Sequence, residues 1–186
     1  VSYESLGLST LSRLEEAGVL ARSAQMSAAL QSDEVGIILS ARGGYGASDL
    51  LSRIEWERVA RSKRKCLIGF SDVTALQSGL FTVLGWPSLH APMPGSPLWQ
   101  NDVTVTNLID LLSTGWGGPW SGDLKLSPVE GSKPMTGPIA GQLFGGCLSV
   151  LSNLIGTQYL PQRFSRHILF FEDTGIKAVV RYTSHS

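Results

Sequence analysis

The sequence predicts an α/β fold, with a doubly wound, parallel-sheet N-terminal domain (residues 1–116) followed by part of a smaller, strand-rich C-terminal domain (residues 117–186). Three observations carry this reading. Two short apolar runs, Val35–Leu39 and Cys66–Phe70, have the unbroken hydrophobicity of strands buried on both faces. Each is followed by a turn-forming segment and then an amphipathic stretch, so the order strand, turn, helix occurs twice, and parallel strands require such crossovers. Near residue 116 the texture changes to glycine, proline, serine and short apolar pieces, which marks the boundary.

The elements follow in order. Leu11, Leu14, Val19, Met26, Ala29 and Leu30 recur at helical spacing across Ser9–Leu30. The strand at 35–40 leads through Arg42-Gly43-Gly44-Tyr45-Gly46 into a helix at about 47–60, whose apolar positions are Leu50, Leu51, Ile54 and Val59. The strand at 65–70 leads through Ser71-Asp72 into a helix over 72–84 that turns Val73, Leu76 and Leu80 inward. Residues 85–100 hold four of the nine prolines and read as loop, or as a short strand between loops. Asn101 or Asp102 can cap a third helix running through Leu112, with Val105, Leu108, Ile109 and Leu112 on one face and Gly115 beyond its end. Leu124–Leu126 and Pro138–Leu143 are short apolar pieces. Leu148–Ile155 reads as a helix before Gly156, and His167–Phe171 as a strand running into Glu172-Asp173-Thr174-Gly175.

Composition narrows the function. The 15 basic and 15 acidic side chains cancel, which argues against a nucleic-acid partner, since such binders carry a basic excess. No apolar run approaches the roughly 18 residues of a membrane span, and no basic segment followed by an apolar one marks a signal peptide. A cytoplasmic protein without a membrane partner is expected. Val1 in place of Met suggests a missing or processed start. Cys66 and Cys147 read as small buried hydrophobes with no histidine at ligand spacing, so neither metal nor cofactor is expected. The run Arg58, Arg61, Lys63, Arg64 and Lys65 reads as a solvated helix end. Trp56, Trp86 and Trp99 read as packing residues, and Trp116 and Trp120 as linker packing.

Gly69-Phe70-Ser71-Asp72-Val73-Thr74 is the segment richest in chemistry. A serine on a tight turn between a buried strand and a helix stands clear of the sheet, beside backbone N–H groups that can stabilise an oxyanion. The spacing is not that of the G-x-S-x-G elbow, and helix capping by Ser71 or Asp72 is the competing reading. Arg42–Gly46 follows the preceding strand and emerges at the same carboxyl edge, where ligands bind in doubly wound sheets. No Lys-Ser/Thr follows it, and Asp49 stands where a dinucleotide loop needs its third glycine. Nucleotide or phosphate binding is therefore a minor alternative. Glu172, at a strand end, reads either as a solvated carboxylate or as part of a site.

Ala41-Arg-Gly-Gly-Tyr-Gly46 followed by Leu50-Leu51, then Leu67-Ile-Gly-Phe-Ser-Asp-Val-Thr-Ala-Leu76, then His90-Ala-Pro-Met93, resembles the LD-carboxypeptidases. These are the muramoyltetrapeptide carboxypeptidases of peptidoglycan recycling and their relatives that cleave microcin C. Gly141–Leu151, Gly156-Thr157 and Phe170–Gly175 resemble the family's later segments, so the likeness covers roughly residues 20 to 175. It implies a serine carboxypeptidase cleaving an LD peptide bond to release a terminal D-amino acid from a murein peptide. It further implies Ser71 as nucleophile and Glu172 as the carboxylate that orients the base. The oxyanion donors fall on the backbone N–H of Gly43, Gly44 and Asp72. Arg42 is a candidate for the substrate carboxylate, and a homodimer is the family's assembly.

The likeness ends before the triad histidine, which the family places further downstream. His90 matches a family position that is not the base, His167 precedes a strand and reads as structural or exposed, and His185 lies in a tail that departs from the family pattern. The expectation is therefore a chain lacking both ends of the family fold, with little or no carboxypeptidase activity alone. A catalytically inactive fragment or remnant, retaining only a fold or binding surface, is the alternative function.

Overall fold

The computed structural model describes residues 16–114, 127, 131 and 137–174. Strands β1 (Ile37–Leu39), β2 (Cys66–Gly69) and β3 (Leu89–His90) form a parallel sheet in the order β1-β2-β3. Ile38 lies opposite Leu67, and Gly69 opposite His90. A second parallel pair joins β4 (Gln142–Cys147) to β5 (His167–Glu172), with Cys147 opposite Glu172. The two expected strands are thus parallel neighbours, and β3 is the short strand of the proline-rich segment.

Burial differs between the two expected runs. Every residue of β2 is buried, because β1 and β3 flank it. In β1, Ile37 and Leu39 are 46% and 43% exposed, so burial on both faces holds for β2 only. The reason is position: among the described residues β1 pairs on one side alone.

Helix α1 (Glu16–Gln31) covers the latter part of the first expected helix, and its beginning lies outside the described residues. The helix expected at 47–60 is two short ones, α2 (Ser48–Leu51) and α3 (Trp56–Val59). Leu50, Leu51, Ile54 and Val59 are all buried, so the apolar positions are as expected although the helix is not continuous. Arg53 and Ile54 both donate to the Leu50 carbonyl, and Trp56 Nε1 donates to the Leu51 carbonyl at 2.8 Å. A tight turn is thereby closed between them. After β2 comes one 3₁₀ turn, Ser71–Val73, and then α4 (Thr74–Leu84).

Asn101 caps α5 (Asp102–Ser113) by accepting the Thr104 N–H at 3.1 Å. Leu108 is buried and Leu112 packs beside it against Cys66 and Ile68, but Ile109 is 55% exposed. The inward face is thus narrower than expected, since adjacent helical residues point about 100° apart. Helix α6 (Leu148–Asn153) stops before Ile155, which is exposed. The glycines Gly145 and Gly146 depress the strand propensity of the segment that forms β4, which is why only its beginning reads as an apolar piece.

The main core joins the early and late parts of the chain. Leu50, Leu51, Val73, Leu76 and Leu80 share a cluster with Leu154, and Val150, Tyr159 and Leu160 pack against it. Ser78 Oγ and Thr82 Oγ1 both donate to the Tyr159 carbonyl, at 2.6 and 3.2 Å. Trp86 is buried, while Trp56 and Trp99 pack against the two core clusters. Cys66 and Cys147 are buried free thiols. Lys65 corrects the solvated reading of its charge run: it is fully buried, and its Nζ has no hydrogen-bond partner among the described residues. It continues the buried line of β2 rather than the exposed end of α3. The boundary near residue 116, Trp116, Trp120, Leu124–Leu126 and the tail with His185 lie outside the described residues.

Candidate active site

Parallel pairing places the ends of β1 and β2 at one edge of the sheet, so the glycine loop and the serine turn emerge together. Phe70 is fully extended, and Ser71 then takes φ 62°, a left-handed conformation that costs a non-glycine residue roughly 1–2 kcal/mol. Strain of this kind persists where the surroundings over-determine it, and it clusters at functional sites. Ser71 is half-buried, and no side chain from its own turn caps the following helix.

The capping reading of Asp72 does not describe the fold either. Its Oδ2 accepts the Ala47 N–H at 3.1 Å, tying the serine turn to the end of the glycine loop. Burial pushes the Asp72 carboxyl up from its ordinary value. The Ala47 hydrogen bond and the charge of Arg22 oppose that shift, and Asp49 adds to it.

Gly43 lies against the serine. A Cβ at this position would stand 3.0 Å from both Cβ and Oγ of Ser71, so only a glycine lets the loop approach without displacement. The loop is held from behind, where Gly95 donates its N–H to the Ala41 carbonyl at 2.7 Å. Arg42 is exposed, and its Nε reaches the Gly43 carbonyl at 3.3 Å. Tyr45, in the same loop, is 88% exposed.

The second sheet docks beside the serine turn. Thr74, fully buried at the start of α4, accepts the Cys147 N–H on Oγ1 at 3.1 Å. Gly146, at φ 140°, permits this approach, since a Cβ there would meet Thr74 at 2.6 Å. Past the end of β5, Asp173 accepts the Ser149 N–H at 2.9 Å, and chiefly that bond holds its carboxyl below the usual range.

Glu172, at the end of β5, faces His90 at the end of β3, with Oε1 3.3 Å from the imidazole Nε2. His90 in turn lies opposite Gly69 in the sheet, two residues before Ser71. Its ring sits between Phe70 and Phe170. Burial lowers the His90 pKa from its ordinary value, and the Glu172 charge and hydrogen bond oppose that shift. His167 opens β5 among the rings of Phe81, Phe144 and Phe164, a structural position. Among the described residues no group of histidine, cysteine and carboxylate side chains could hold a metal ion.

The structure therefore brings Gly43 to Ser71, Asp72 to the glycine loop, and Glu172 to His90. The last contact, with Gln77 behind it, escapes sequence reasoning. Its signal is the register of β3, which a two-residue strand does not reveal.

Models of two domains match the chain in the corresponding order, an LD-carboxypeptidase N-terminal domain over residues 12–91 and an LD-carboxypeptidase C-terminal domain over residues 140–185. The chain belongs to the LD-carboxypeptidase family. The murein tetrapeptide carboxypeptidase of Pseudomonas aeruginosa is 32% identical over 139 residues, covering 72% of this chain and 44% of the relative. A crystal structure of the muramoyltetrapeptide carboxypeptidase from Oxalobacter formigenes superposes with a TM-score of 0.63 at 28% identity, covering 87% of this chain and 53% of that one. MccF, solved with glutamyl sulfamoyl guanosine, shares the fold with a TM-score of 0.67 at 21% identity, over 83% of this chain and 53% of that one. The chain spans about half the length of the curated carboxypeptidase relatives it matches.

Proposed function

We propose that this chain carries the nucleophile and the orienting carboxylate of a serine carboxypeptidase that cleaves an LD bond and releases a terminal D-amino acid from a murein peptide, as in peptidoglycan recycling. The observation that supports this most is Ser71, held at φ 62° at a strand-to-helix turn with Gly43 against its hydroxyl. A strained serine beside backbone N–H groups is the arrangement that acyl transfer uses.

The chemistry proceeds in two steps. Ser71 Oγ attacks the scissile carbonyl while an imidazole base takes its proton, because a serine hydroxyl is a weak nucleophile until that proton is accepted. The oxyanion is stabilised by the backbone N–H groups of Asp72 and of Gly43 or Gly44. Collapse breaks the C–N bond, the imidazolium returns the proton to the departing D-amino acid amine, and water then hydrolyses the acyl-serine. Glu172 orients the imidazole and stabilises its charged form. Arg42, exposed in the glycine loop, is the proposed partner of the substrate's terminal carboxylate. The base is His185 or a histidine on a further C-terminal segment of the kind the family carries. The setting is a cytoplasmic muropeptide, with a homodimer as the assembly and a division into domains near residue 116.

The test measures D-alanine release from a muramoyl tetrapeptide. Two samples are compared, the 186-residue chain alone and the same chain joined to the C-terminal remainder of a family member. The expected result is release by the joined form, little by the chain alone, and none from the substrate ending in L-alanine. Absence of release from both forms would refute the reading and favour a binding remnant.

A further inference from the structure

We propose that His90 is a positioning residue for Glu172: its Nε2–H holds Glu172 Oε1 and leaves Oε2 free to accept from the catalytic imidazole. The catalytic half of this statement rests on the carboxypeptidase reading, whereas the pairing itself stands on the geometry alone.

The argument begins at Gln77 on α4. Its Nε2 donates to two backbone carbonyls, Gly69 and Leu89, both at 2.9 Å. Carbonyls only accept, so the carboxamide is locked with its nitrogen toward the sheet. The atom it presents to His90 is therefore Oε1, 3.4 Å from Nδ1. On the other side of the ring, Nε2 stands 3.3 Å from Glu172 Oε1. His90 thus lies between two acceptors, one neutral and one charged.

A neutral imidazole carries one ring proton and can satisfy only one of them. Hydrogen bonds to an ionised acceptor are roughly twice as strong as neutral ones, so the proton belongs on Nε2, toward the carboxylate. The need is mutual. Glu172 Oε1 is a buried atom with no aligned hydrogen bond from any described group, and His90 Nε2 stands 3.3 Å from it. Among the described residues Glu172 is the charged group facing the ring, with Gln77 from α4, Phe70 beyond β2 and Phe170 from β5 also beside it. Apolar rings on both sides favour the neutral form, while Glu172 opposes that preference. The pair also bridges the two sheets, since His90 ends β3 and Glu172 ends β5.

Histidine-detected nitrogen NMR on the 186-residue chain tests the pairing without any activity. The His90 resonances are assigned by their loss in His90→Gln. Above its titration, His90 should show the tautomer protonated on Nε2. In Glu172→Gln its apparent pKa should fall by on the order of one unit, because the opposite charge is removed. A neutral ring protonated on Nδ1, or a His90 titration unaffected by Glu172→Gln, would overturn the proposal. The tautomer is read from the unsubstituted chain, so the test survives a variant that fails to fold. If the pairing holds and D-alanine release is absent, the carboxypeptidase reading fails and the positioning of Glu172 does not.

Discussion

Strand β2 leads into a serine held by its backbone, whereas β5 ends in a glutamate held by a side chain. Ser71 owes its place to φ 62°, to an extended Phe70 before it and to Gly43 pressed against it. Glu172 owes its place to an imidazole 3.3 Å away. Position fixed by the backbone is insensitive to pH but intolerant of added atoms. Position fixed by an imidazole is the reverse, for it tolerates space and responds to protonation. Between the two lies Thr74, which ties β4 to the start of α4 and so brings the second sheet to the first.

The contrast can be broken at Gly43. In the chain joined to the C-terminal remainder of a family member, Gly43→Ala should lower kcat/KM for the proposed D-alanine release by on the order of 10²-fold, the cost of moving a reacting atom by about 1 Å. Wild-type turnover in that variant would mean that the loop does not define the serine's position. The junction comes next. Thr74→Val removes the acceptor of the buried Cys147 N–H and should destabilise the chain by about 1–3 kcal/mol, read from the urea midpoint.

The backbone strain gives a smaller effect of opposite sign. Ser71→Gly should stabilise the chain by about 1 kcal/mol, since glycine adopts φ 62° without steric cost. Ser71→Ala keeps the Cβ and should leave stability nearly unchanged, which separates strain from loss of the hydroxyl.

His90 supplies the pH-dependent side of the comparison. Its pKa is lowered in the folded state chiefly by burial, so below the ordinary value of 6.5 the unfolded chain binds more protons than the native one. Its contribution to stability is therefore present above pH 6.5 and is lost as pH falls toward the folded pKa. Urea midpoints between pH 5 and 8 should show that slope, and His90→Gln should remove it. The smallest effect concerns β2 itself, where burial pushes the Cys66 thiol up to about 11. Iodoacetamide at pH 8 should leave Cys66 unmodified in the native chain and label it in urea.

Legibility in the sequence followed the same division. The β2 elbow could be read because a continuous apolar run, a turn and an amphipathic helix are all local patterns, and Leu50, Leu51, Ile54 and Val59 were identified as core even where the helix breaks. Burial of Lys65 and exposure of Ile37 and Leu39 were not legible, because both depend on which strand is flanked. The His90 contact with Glu172 joins residues far apart in the chain through a two-residue strand, and no periodicity announces such a meeting. The glycine pair Gly145-Gly146 in β4 concealed a strand whose need for it is a close approach to Thr74 and Phe170.

The claim at the centre of this account is that Ser71 is the nucleophile. The most direct measurement is the rate of D-alanine release from a muramoyl tetrapeptide by the joined form, with Ser71 and with Ser71→Ala. The account predicts that the variant keeps its fold and falls to the residual level that binding and an oxyanion hole supply, roughly 10³–10⁴-fold over water. Undiminished release by Ser71→Ala would contradict it.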